Sequence, residues 1–91
     1  MSAYVQPFDV TVRGMTYTVR PEDATVSDGT TVILVEVPDD LDWSEEGHPF
    51  EPGPGVDYAQ AVDTAMENLG YEHYNDADQW YGGYAHFVPR H

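Results

Sequence analysis

The segment YEHYNDAD (71–78) sets His73 three residues before Asp76 and five before Asp78, with His86 on a later segment. First-row metals take imidazole and carboxylate donors, and a neighbouring strand would let His86 join them. The spacing matches no standard ligand motif, however, and His48 and His91 stand far from it. The expectation is therefore no metal and no cofactor, with three histidines at the surface and one packed among tyrosines. Asp76 and Asp78 also give the D-x-D opening of a calcium loop. The glycine at the sixth position and the bidentate glutamate at the twelfth are both missing.

Carboxylates serve as general acids or bases when burial raises the pKa of one member of a pair. Here they fall mostly in loops and on a polar helix face, where nothing suggests burial. Ser2, Ser27 and Ser44 are the only serines, none in a G-x-S-x-G setting, and there is no glycine-rich phosphate loop. Cysteine is absent, which removes thiol catalysis, disulfides and Cys-type metal sites. The chain is expected not to be an enzyme.

Charge carries the strongest signal. Seventeen acids oppose three arginines and no lysine, for a formal net charge of -14. Such a field repels nucleic acid and anionic membranes as direct partners and attracts a basic one. The acids are also uneven: residues 1–37 hold five acids and two arginines, whereas residues 38–78 hold twelve acids and no base. Asp39, Asp40, Asp42, Glu45, Glu46, Glu51, Asp63, Glu67, Glu72, Asp76 and Asp78 are the candidate partner-binding acids. Trp43 and Trp80 join them as aromatic anchors, because interface hot spots favour tryptophan and tyrosine.

The elements that must position these residues can be read from periodicity. FDVTVRGMTYTVR (8–20) alternates as a hairpin, with Gly14-Met15 suited to a type II′ turn. In that register Val12 faces Tyr17, Val10 faces Val19, and Asp9 forms an ion pair with Arg20. PEDATVSDG (21–29) reads as a turn-rich connection closing on Asp28-Gly29. TTVILVEV (30–37) lacks alternation, as a central strand buried on both faces would.

The long loop 38–55 follows, its Leu41, Trp43 and Phe50 expected to pin it to the core and its Pro/Gly end to act as a linker. A helix within 56–70 is expected, with Asp57 as N-cap, Gln60 completing a capping box and Gly70 at C′. Tyr58, Val62, Ala65, Met66 and Leu69 form its apolar stripe. Asp63 and Glu67 make a like-charge i, i+4 pair on the other side. Strands near 72–74 and 84–88 complete a β-β-β-α-β-β order, with one helical turn expected after Asp76. The fold class is α+β: an antiparallel sheet of four to five strands with one helix packed on it, in a single domain.

Small size, clustered acids, absent lysine and absent catalytic motifs together resemble the small acidic anti-restriction and anti-CRISPR proteins of phages and mobile elements. The resemblance rests on size and charge over the whole chain. It implies a stoichiometric inhibitor that occupies the basic nucleic-acid site of a larger protein as a DNA or RNA mimic. Two other readings stand beside it. One is a halophile domain, whose acids would be spread evenly to hold it in solution; the other is an interaction module docked through its aromatic tail. The start, MSAYVQPFDV, lacks a basic region followed by an apolar one, and no stretch approaches the roughly 18 apolar residues of a membrane span. A cytoplasmic location is expected.

Overall fold

In a computed structural model, residues 5–45, 47–74, 80 and 82–90 are described. The fold is α+β, with antiparallel strands and one helix. β1 (Phe8–Val12) and β2 (Met15–Val19) form the first hairpin. β3 (Glu22–Thr25), β4 (Thr31–Glu36), β7 (Tyr71–His73) and β8 (Tyr84–Pro89) form a four-stranded sheet in the order β3-β4-β8-β7. β5 (Ser44–Glu45) and β6 (His48–Pro52) make a separate hairpin, and α1 (Pro54–Asn68) follows it directly.

The first hairpin turns one position earlier than its hydrophobic pattern suggests. Arg13 (φ 49°) and Gly14 (φ 82°) are the two turn residues, both left-handed as a type I′ turn requires. Val10 therefore faces Tyr17, Val12 faces Met15, and Asp9 lies opposite Thr18. The shift is two residues along the second strand, so every side chain keeps its face. Alternation fixes faces only; the turn fixes which residues are opposite. The Asp9–Arg20 ion pair is not formed, and the Thr18 hydroxyl donates to Asp9 instead at 3.0 Å.

Three strands, β3, β5 and β6, lie in segments expected to be loop. Glu22–Thr25 pairs with β4 through a turn in which the Thr30 amide donates to the Asp28 carboxylate at 2.8 Å. Its run Glu-Asp-Ala-Thr has little β-propensity, and it gains its place from pairing with the edge of β4. Within 38–55, β5 and β6 form a short ladder with a bulge between Ser44 and Glu45. β4 is central, as its unbroken apolar run requires, with Val32, Ile33 and Val35 all buried.

The core lies between α1, the first hairpin and the four-stranded sheet. Tyr58, Val62 and Met66 from the helix meet Val10, Val12 and Val19 from the hairpin and Ile33, Val35, Ala85 and Phe87 from the sheet. The helix stripe differs from the expected one near both ends: Ala59 is buried and Leu69 is 55% exposed. Asp57 is not the N-cap. Gly53 takes that position without a side-chain bond, Pro54 opens the helix, and Asp57 sits in its first turn. There the carboxylate meets the positive end of the helix dipole. Gly70 follows the C-cap Leu69 with φ 90°, the expected C′ placement.

No helix among the described residues is long and apolar enough to cross a membrane.

Candidate functional site

The Pro/Gly tract packs closely against the backbone of residues 42–44 rather than acting as a linker. The Gly53 amide donates to the Trp43 carbonyl at 2.9 Å, and the Gly55 amide to the Asp42 carbonyl at 2.8 Å. A Cβ on Gly53 would stand 2.4 Å from the Asp42 carbonyl oxygen and 2.8 Å from the backbone of Ser44. Only glycine lets the two chain segments approach this closely. Leu41 is buried beneath this crossing, and the bases of β5 and β6 are thereby fixed to the start of α1.

Arg13 completes the attachment. Its Nε donates to Asp57 at 2.7 Å, its Nη2 to the Pro52 carbonyl at 2.8 Å, and its Nη1 lies 3.8 Å from Glu45. Its hydrogen bond to Asp57 raises its pKa above the ordinary guanidinium value, so it stays charged. A non-glycine residue in the left-handed region costs about 1 kcal/mol. The type I′ turn places this residue where its side chain spans the hairpin, the arm and the helix start.

Beyond this base, every described residue of β5 and β6 is exposed. Phe50 is 97% exposed, so it does not pin the loop to the core. Leaving such a ring in water forgoes the about 1.5–3 kcal/mol that its burial would contribute. Asp39, Asp40, Asp42, Glu45 and Glu51 are exposed along the same segment, with Trp43 at 37%. All the described carboxylates lie at least partly in solvent. Glu46 falls outside the described residues.

The helix and tail acids have a different fate. Asp63 Oδ1 accepts the Trp80 indole N–H at 2.8 Å and lies 2.9 Å from His73 Nε2. His73 stacks on Phe87 with ring centroids 4.5 Å apart, and Trp80 meets Phe87 at 6.2 Å and Trp43 at 6.3 Å. His73 Nδ1 is buried without a hydrogen-bond partner. Asp63 Oδ1 is thus the shared acceptor of a folded junction, with the side chain 33% exposed. Trp80 packs against the core while staying partly exposed, and Trp43 is 37% exposed.

Glu67 is exposed, with Arg90 Nη1 3.9 Å from it, and that distant partner relieves the like-charge pairing with Asp63. Glu72 is exposed on β7. The candidates Asp76 and Asp78, and the helical turn expected after Asp76, fall outside the described residues.

Alternation along β8 separates His86 from Phe87, so His86 and His73 occupy opposite faces of the sheet. The strand pairing therefore does not bring His86 to His73. No group of three or more metal-ligating side chains is present among the described residues. On the β3–β4 turn, the Tyr74 hydroxyl donates to Asp28, a contact that joins the end of β7 to the far side of the sheet. That bond, followed by those from Thr30, lowers the Asp28 pKa, and it raises that of Tyr74.

Compared with known proteins, the chain matches no family model, no curated protein and no solved structure.

Sequence reasoning missed Phe50 as a surface residue and Arg13 as the clamp. The first had a legible signal, because HPFEP places the ring between prolines and beside an acid with no apolar neighbour in alternation. The second required the turn type, which places Arg13 in the left-handed region.

Proposed function

We propose that the chain is an inhibitor that docks its acidic loop on the basic nucleic-acid-binding surface of a larger protein, in the manner of a DNA or RNA mimic. A CRISPR effector or a restriction enzyme is the kind of target meant. The observation that carries this reading is the exposure of Asp39, Asp40, Asp42, Glu45 and Glu51 on a segment held by a fixed base. A run of carboxylates on a flexible linker would lose much of its binding free energy to ordering. Here the glycine crossing and the Arg13 clamp restrict the segment before any partner arrives.

The contact set under this reading is Asp39, Asp40, Asp42, Trp43, Glu45, Glu46 and Glu51. Asp63 and Trp80 support the fold behind it. No cofactor and no turnover are involved, and the partner is a protein rather than nucleic acid or a membrane.

Inhibition of target DNA cleavage by purified CRISPR effectors and restriction enzymes tests the reading. Replacing Asp39, Asp40, Asp42, Glu45 and Glu46 by Asn or Gln should leave the fold intact and weaken inhibition by at least about tenfold. Inhibition should also fall steeply as salt rises from about 50 to about 200 mM. Equal inhibition by the neutralised variant would overturn the reading.

A further inference from the structure

Carboxylates alone would suffice to imitate a phosphate backbone, yet the arm also displays a bare aromatic ring. Glu45 pairs with His48 across the ladder, which puts both on one face. Phe50 follows two residues beyond His48 and directly precedes Glu51, in the stretch of β6 where the ladder is bulged. Phe50 is 97% exposed, and no described residue of either strand is buried. The ring stands on a hairpin whose base is tied by Gly53, Gly55 and Arg13, so its presentation is built into the fold.

Basic nucleic-acid sites differ in what they offer such a ring. A duplex keeps its bases stacked inside, and proteins that bind it meet phosphates and groove edges. A single-strand site combines a basic groove with aromatic side chains on which unstacked bases lie. An exposed ring flanked by carboxylates is complementary to the second kind.

Resting on the function proposed above, we infer that the β5–β6 arm occupies a single-strand nucleic-acid site of its protein partner. Phe50 takes the place of a stacked base there, and Glu45 and Glu51 take the places of flanking phosphates. The occupant of the arm is thus a basic protein groove lined by aromatic side chains.

The test uses the full chain against a panel of purified proteins. Half are single-strand binders loaded with dye-labelled oligothymidylate, and half are duplex binders loaded with a dye-labelled duplex. The chain should displace the single strand from at least one member and spare the duplex binders. Phe50→Ser should weaken that displacement by about tenfold or more with an unchanged melting temperature. Phe50→Trp, which keeps a stacking surface, should retain it, whereas Phe50→Leu should not.

Displacement of duplex with Phe50→Ser as effective as wild type would overturn the inference while leaving acidic mimicry in place. Equal activity of the Leu and Trp variants would overturn the stacking role. Displacement from no panel member would overturn both.

Discussion

Two regions of this chain have the same ingredients and opposite outcomes. The junction of α1, β7 and Trp80 combines an acid, a histidine and aromatic rings, and turns them inward. The β5–β6 arm combines acids, a histidine and an aromatic ring, and turns them out. What separates them is the supply of hydrogen-bond donors and apolar cover. Asp63 accepts from Trp80 and meets His73, and those rings rest on Phe87. On the arm, Arg13 reaches Glu45 only at 3.8 Å, and Phe50 has no core beneath it. Acidic residues near aromatics therefore do not define a contact surface until their internal partners are counted.

This contrast can be broken from the inward side first. Asp63→Ala would leave the His73 and Trp80 nitrogens without their shared acceptor, and an unfolding titration should show a loss of about 2–3 kcal/mol. A loss below about 0.5 kcal/mol would mean the junction contributes little. Gly53→Ala comes next, because the added methyl meets backbone atoms that cannot rotate away. A loss of about 1–2 kcal/mol is expected, with faster hydrogen exchange at the Gly55 amide. Unchanged exchange there would show that the base of the arm accommodates the methyl.

A smaller, pH-dependent effect is expected at Tyr74. The Asp28 pKa is lowered in the folded state, first by the Tyr74 bond. Its contribution is therefore present above the unfolded carboxylate value of about 3.9 and lost as pH falls through the lower folded value. Tyr74→Phe should reduce stability at neutral pH, and the difference from wild type should vanish in acid. A difference that persists at the acid end would assign the effect to packing. The smallest change in stability belongs to Phe50→Ser, which should stay within about 0.5 kcal/mol of wild type. A larger loss would show that the ring supports the fold.

How much of this was legible depended on whether a pattern had one physical solution. The unbroken Val32–Val35 run pointed to a central strand, and Gly70 fell where a helix end takes a left-handed residue. The β1–β2 faces followed from alternation, but their register needed the turn. Arg13 was the less obvious turn residue because type I′ positions favour Asn, Asp or Gly. β3 was hidden because its pairing with β4 outweighs its weak propensity. Asp63 looked like a surface acid because its donors, His73 and Trp80, are distant in sequence. Phe50 looked like a core residue because apolar type was allowed to stand for burial. The Pro/Gly tract looked slack, although Pro54 opens a helix and Gly53 permits a backbone crossing.

Under the proposed function, the outward loop binds the partner and the inward junction stabilises the fold. The most direct test of this division measures nucleic-acid displacement and the unfolding midpoint on the same two variants. One neutralises Asp39, Asp40, Asp42, Glu45 and Glu46; the other is Asp63→Ala. The loop variant should lose displacement by at least about tenfold and keep its midpoint. Asp63→Ala should lower the midpoint and, where it remains folded, displace as well as wild type. A loop variant that displaces like wild type, or a folded Asp63→Ala that does not displace, would contradict the account.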